Sequence, residues 1–261
     1  MTETQKLPEV RAVGCFLAEY ASWLLGCGAT CIRIEKNVGR MAEAFGVEID
    51  LTIMPSNIQI SVSNARHPEP HLILKRIHKS GISFNLNTQL SSLSWDVADH
   101  RLSFEKARQR FVQITRTKPS NQWAVLVLAS LANMSFCRLF HGDGVSMVLV
   151  FLATLVGYRL KQVMLRYRVD VRVVFLCSAF SSSVIGAGAH LFGWGATPDV
   201  AIGTSVLYLI PGIPYINSVS DMLDGHYLCA FSRFIDAMLL TASLSLGLCC
   251  GMLLMDLRWL S

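Results

Sequence analysis

Residues 207–221 read Leu-Tyr-Leu-Ile-Pro-Gly-Ile-Pro-Tyr-Ile-Asn-Ser-Val-Ser-Asp, which sets Pro211, Gly212 and Pro214 inside an apolar run of helix length. Proline removes a backbone donor and crowds the preceding turn, and glycine adds freedom, so a helix here must break. In lipid, unpaired main-chain groups are tolerated only where protein or a water-filled cavity satisfies them. Broken helices of this kind build substrate and ion sites in many secondary transporters, because a restarted helix offers free N–H groups and a partial positive charge to an anion.

Charge divides the chain around this segment. Of 23 Lys and Arg, 15 fall in residues 1–120, as do 11 of the 18 Asp and Glu. The remaining residues keep long apolar runs between clustered charges, so a mean hydropathy of +0.43 averages two unlike parts. We expect an α/β cytoplasmic domain over 1–120 and an α-helical transmembrane domain over 121–261. Its five spans fall near 122–140, 145–165, 171–194, 200–220 and 228–255, each close to the roughly 20 residues a bilayer requires. Arg159, Lys161, Arg166, Arg168 and Arg172 surround the second-to-third connection, whereas the third-to-fourth has neither Lys nor Arg. Positive charge stays inside, so the N-terminal domain is expected in the cytoplasm and the C-terminus in the periplasm. The basic approach Arg110, Arg116 and Lys118 agrees.

Residues 12–29 are apolar, but Glu19 lies at their centre and mixed acidic and basic residues precede them without a clear basic leader, which argues against a signal peptide,. Cys15, Leu17, Tyr20, Leu24 and Leu25 fit one face of an amphipathic helix, with a sixth span as the alternative. A second helix follows over 29–45, with Gly46 past its end. The period then changes to two at Ile49, Leu51 and Ile53, and again at Ile58, Ile60 and Val62, with Pro55-Ser-Asn57 as turn chemistry between them. Two further strands are expected over 72–77 and 82–86 around Lys79-Ser-Gly81, then polar helical sequence over 90–115.

Several chemistries find no support. There is no phosphate-binding Gly-rich loop, dinucleotide fingerprint or zinc-protease motif. The eight cysteines lack metal spacing and read as packing thiols, and His67, His71 and His78 read as solvated. A hydrolase would need a nucleophile beside a base, and Ser181 to Ser183 stand too far from His190 along one span. The basic stripe from Arg101 to Lys118 is interleaved with Phe104, Phe111 and Ile114, which suits a helix lying at anionic headgroups better than nucleic acid. No enzyme activity, metal or cofactor is expected.

Ionisable groups at membrane depth are costly and therefore informative. Asn217 and Asp221 share a helix face after the break. Asp224, His226 and Arg233 follow, and Asp236 stands one turn into the last span, where pairing with Arg233 is one reading. Small residues around Ser181-Ser182-Ser183 and at Gly247 and Gly251 suit close helix packing. Arg138, before His141-Gly-Asp143-Gly144, either meets an anion or snorkels.

Gly28-Ala-Thr30 with Arg33 and Glu35, the Gly46-Val-Glu approach to the strands, and the stretch from Leu209 through His226 to Arg233 together resemble the threonine/serine exporter (ThrE) family over nearly the whole chain. The layout is similar to its split branch, whose members work with a separate, smaller multi-span subunit (YjjB-like). The resemblance implies an exporter subunit in the bacterial inner membrane, carrying small carboxylates, succinate first, with threonine or serine as the alternative. It carries Pro211, Gly212, Pro214, Asn217, Asp221, Gly225 and Arg233 over as substrate-binding or gating positions. Arg138, Ser182, Asp236, Arg33 and Glu35 are additional candidates. A higher oligomer is a further expectation, and a non-transporting membrane-anchored regulatory or scaffold protein is the competing class.

Overall fold

The computed structural model describes residues 9–65, 67–78, 81–117 and 121–255. The chain forms two compact units that do not follow its linear order. One takes residues 1–118 together with Ile213–Phe234, and the other takes Pro119–Gly212 with the chain from Ile235 onward.

In the first unit, helices α1 (Val10–Gly26) and α2 (Cys31–Ala44) precede strands β1 (Glu48–Ile53), β2 (Asn57–Asn64) and β3 (His67–Arg76). The strands form an antiparallel meander in the order β1-β2-β3, with Leu51 opposite Ile60 and Ile60 opposite Ile73. Period-two alternation drives Ile58, Ile60 and Val62 of the central strand fully into the core,. They meet Val13, Leu17, Tyr20 and Leu24 of α1, whose Gly14 lies so close to Val62 and Ile73 that a Cβ there would overlap them. Residues 12–29 therefore contribute a core helix, with Tyr20 donating a 2.8 Å hydrogen bond to the Leu90 carbonyl.

The expected strand over 82–86 is absent. Ser83 adopts an extended conformation and its Oγ accepts from Leu86 N, starting helix α3 (Phe84–Ala98) instead. A hydroxyl N-cap outweighs the short apolar alternation here. The helical stretch over 90–115 is likewise two helices: α3 stops at Asp99, His100 turns with φ of 56°, and α4 covers Phe104–Thr115. α4 turns Ala107, Phe111 and Ile114 into the unit's own core, so that apolar face is not the headgroup-facing surface the basic stripe suggested. Lys79, Ser80 and Lys118 lie outside the described residues.

The second unit holds α5 (Gln122–Leu139), α6 (Gly144–Arg166), α7 (Val171–Leu191), the short α8 (Pro198–Ser205) and a 3-10 turn (Leu207–Leu209). The chain then crosses Pro211 into α9 (Gly212–Leu223) of the first unit and continues as α10 (Tyr227–Leu254), which runs unbroken into the second. Among the described residues, four helices are long and apolar enough to cross a membrane: α5, α6, α7 and α10. The interrupted pair Pro198–Leu209 and Gly212–Leu223 makes a fifth if counted as one span.

α8 packs against α5, α6 and α7. Buried polar groups there are satisfied locally: Asn133 Nδ2 donates to Thr154 Oγ1 at 2.6 Å and to the Thr204 carbonyl at 3.0 Å,. The small-residue faces meet each other. A Cβ on Gly247 would strike the Leu176 carbonyl and one on Gly251 would strike Ser183 Oγ, so α10 approaches α7 at backbone distance,.

Candidate functional site

Three of the positions singled out after the break converge on one turn, all within the first unit. α1 ends with Gly28 at φ of 90°, Gly28 N donating to Leu25 O and Ala29 N to Leu24 O. This Schellman closure leaves the carbonyls of Gly28 and Ala29 turned outward, just before α2 begins. Asn217 Nδ2 donates to Gly28 O at 2.8 Å, and Arg233 Nη2 donates to Ala29 O at 2.7 Å.

Asp221 closes the arrangement. Its side chain is fully buried, and Oδ1 accepts from Cys31 N at 2.7 Å. Cys31 is the first residue of α2, whose N-cap Thr30 makes no side-chain cap, so the carboxylate supplies from 190 positions away the acceptor that a local Ser or Asp ordinarily gives,. The partial positive charge at a helix N-terminus favours an anion there. Asp221 Oδ2 lies 3.1 Å from Arg233 Nη1 as an ion pair, and neither of these two buried atoms has a hydrogen-bond partner of good geometry. The pairing of Arg233 is thus with Asp221; Asp236, considered as its alternative partner, is exposed on α10.

The backbone explains why these residues stand where they do. α9 starts at Gly212, so Pro214 falls in the first turn, where its missing donor costs nothing,. Gly225, at φ of 83°, ends α9, with His226 N donating to Asp221 O at 2.8 Å. That reversal sends α10 back beside α9, where Ser218 Oγ donates to Ala230 O at 2.7 Å and Tyr215 meets Phe234 edge-on. Asn217, Asp221 and Arg233 consequently face one target.

Around the turn, His226 Nε2 sits 3.3 Å from Glu35 Oε1, and Arg33 Nη1 donates to Asn87 Oδ1 at 3.2 Å. Glu35 therefore belongs to this cluster, and so does His226, which lay in the stretch that carries the resemblance but was not among the candidate site residues. Cys31 is also held here: a side-chain hydrogen bond with Cys229, then burial and the Asp221 charge, push its thiol well above the usual range. Cys229 Sγ in turn donates to Ile53 O at 3.4 Å.

The other sequence candidates lie in the second unit. Ser182 Oγ bonds the Ala153 carbonyl at 3.0 Å and Tyr208 OH at 2.9 Å. Arg138 Nη1 donates to the Gly142 carbonyl at 3.3 Å. Beside it Asp143 caps α6 through Ser146 N and also accepts from Ala196 N and Thr197 Oγ1, which ties two loops together. Those bonds, Ser146 foremost, hold its carboxyl below the usual range.

Residues 15–255 match the family described as putative threonine/serine exporter. The chain belongs to this family. It is 28% identical over 254 residues to the probable succinate transporter subunit YjjP of Klebsiella aerogenes, covering 96% of each chain. It is 26% identical over 249 residues to the protein of the same name from Escherichia coli, covering 95% of this chain and 96% of that one. The probable threonine/serine exporter of Mycobacterium tuberculosis is 20% identical over 232 residues, 87% of this chain but 43% of its own length. No solved structure matches. Membership in the threonine/serine exporter family, with its apolar helices, makes this a multi-pass membrane transporter subunit rather than an enzyme. The α1–α2 turn and the α9–α10 segment are two of the three stretches on which the resemblance to the family was read from sequence, the third being the Gly46-Val-Glu approach to β1.

Proposed function

We propose that this chain is a subunit of an inner-membrane exporter of small carboxylates, succinate foremost, acting with a smaller multi-span subunit. Asn217, Asp221 and Arg233 serve it as a gating joint. The observation that carries the gating role is the grip of these three side chains on residues Gly28 to Cys31. Each spends a polar atom on the turn and the two charges face each other, which suits a latch better than a substrate cradle.

In this reading the N-terminal domain faces the cytoplasm, the basic connection after α6 lies on the same side, and the C-terminus is periplasmic. Pro211 and Gly212 uncouple α9 from the preceding turn, so the latch can shift without dragging the α8 segment. Asp221 joins the two halves of the latch, since one carboxylate both pairs with Arg233 and caps α2,. The full-length match to proteins named succinate transporter subunit favours succinate. A threonine or serine substrate is the second reading, favoured by the family description and the mycobacterial relative.

The test is efflux from cells lacking the chain and its partner, complemented with both, with succinate and threonine measured side by side. Restored succinate efflux, abolished by Arg233→Met at normal expression, supports the proposal. Restored threonine efflux alone reassigns the substrate. Efflux of neither, with a well-inserted protein, favours a membrane-anchored regulatory role.

A further inference from the structure

Near its C-terminal end, α6 carries a cation in unusual company. Lys161 Nζ lies over the ring of Phe175 at 4.9 Å and over that of Tyr158 at 5.6 Å, and among the described residues no carboxylate pairs with it. It stands five residues before the end of a helix long enough to cross a membrane, where an unpaired charge is costly unless a ligand or water meets it,. Aromatic faces hold an ammonium in place without neutralising it.

Hydroxyls gather beside it. Tyr158 and Tyr208 rings lie 5.8 Å apart, and Tyr208 OH shares a 2.9 Å hydrogen bond with Ser182 Oγ. Gly157 makes this possible, since a Cβ there would overlap both Ser182 Oγ and Tyr208 OH. One α-helical turn beyond Phe175 stands Ser178, fully buried, whose Oγ has no hydrogen-bond partner. Satisfied polar groups are the rule in such places, so an orphaned buried hydroxyl one turn along α7 from the ring that holds the cation marks a missing acceptor,.

We propose that Lys161, with Tyr158, Tyr208 and Ser178, forms a carboxylate-binding site between α6, α7 and the 3-10 turn. One ammonium with the free Ser178 hydroxyl as donor matches one carboxylate in charge and hydrogen bonding, while Tyr208, whose hydroxyl proton is spent on Ser182 Oγ or the Ser178 carbonyl, walls the site with Tyr158,. A phosphate dianion would call for a second cation or a bidentate guanidinium. The site rests on the exporter reading above and adds to it the groups that hold the carboxylate. It recognises the end that succinate and threonine share, so selection between them falls to whatever meets the rest of the molecule. The basic end of α6, with Arg166 and Arg168 beyond, draws anions toward it.

The test uses the full chain purified with its partner subunit and scintillation-proximity binding of radiolabelled succinate and threonine, alongside cellular efflux. Lys161→Met keeps the stem and removes the charge, and is expected to weaken binding at least tenfold with unchanged expression and thermal stability. Lys161→Arg should restore most of it, and Ser178→Ala should cost severalfold. Succinamide, which lacks carboxylates, should not compete with succinate. Wild-type affinity in Lys161→Met, or equal competition by succinamide, overturns the site, and a Lys161 that only snorkels to the headgroups gives the first of these results. Absence of carboxylate binding to the wild-type complex also overturns it. Binding that is lost in Lys161→Met while no efflux is seen from wild-type cells leaves the site standing and refutes the exporter reading instead.

Discussion

Breaking the Asp221–Arg233 pair one partner at a time should show how strongly the α9–α10 segment holds the α1–α2 turn. At 3.1 Å the Coulomb attraction is about 5 kcal/mol for an effective dielectric constant of 20,. Desolvation offsets much of that, yet removing a single partner strands the other charge in a buried place, which costs about 3–5 kcal/mol. Asp221→Ala additionally uncaps α2, worth about 1 kcal/mol. Arg233→Met also loses the bond to Ala29 O. The double variant strands no charge, so it should be less damaged than the sum of the singles by about 3 kcal/mol. The assay is hydrogen exchange of peptides covering residues 28–34 in the detergent-solubilised protein, which reads local opening of this turn directly. Each single variant should raise exchange by about two to four orders of magnitude, since tenfold corresponds to about 1.4 kcal/mol. If either single variant changes exchange by less than about threefold, or if the two effects simply add, the pair does not hold the turn and the latch argument fails.

Replacing Pro211 and Gly212 together by Ala restores a backbone donor and helix propensity, so the 3-10 turn and α9 should fuse; the protein should insert normally while efflux collapses, and wild-type efflux would reduce the break to a packing device. Reporter fusions after Arg168 should read cytoplasmic and those after Gly195 periplasmic, and the reverse pattern refutes the orientation. Gly251→Leu should separate α10 from α7 and lower the melting temperature far more than Ala at exposed Leu253 does, because only the former meets Ser183,. The chain should co-purify with a smaller multi-span protein; a monomer competent for transport in liposomes would exclude that requirement. The depressed Asp143 carboxyl adds stability that is complete above its unfolded value of 3.8 and is lost only as the pH falls through the lower folded value,. Asp143→Asn should therefore be less stable than wild type at neutral pH, and the gap should narrow in strong acid.

What sequence revealed and concealed follows from the range of each signal. Alternation in residues 49–62 and the Pro-Gly-x-Pro interruption are local, and the hairpin and the restart of α9 appear where they were read. Ile82, Phe84 and Leu86 also looked like a strand, but a single Ser83 hydroxyl turned them into a helix start. Asn217, Asp221 and Arg233 could be picked out as unusual because polar groups beside a broken apolar run have few innocent explanations. Their partners could not be found that way. The two free carbonyls at Gly28 and Ala29 belong to the main chain and leave no trace in residue identity. Thr30 hid the vacancy as well: its residue type suits an N-cap, and the structure is what shows that it opens α2 without a capping bond of its own,. Lys161 was concealed for another reason, since within a basic connection it reads as one more positive-inside charge.

α10 begins among the groups that grip the α1–α2 turn and continues without interruption to Leu254. A straight α-helix rises about 1.5 Å per residue, so the stretch beyond Arg233 forms a lever of roughly 30 Å. Gly247 lies directly on the Leu176 carbonyl of α7 and Gly251 on the short Ser183 side chain, so no long side chain cushions that contact. Such close backbone approach leaves α10 few alternative positions along α7 within the second unit,.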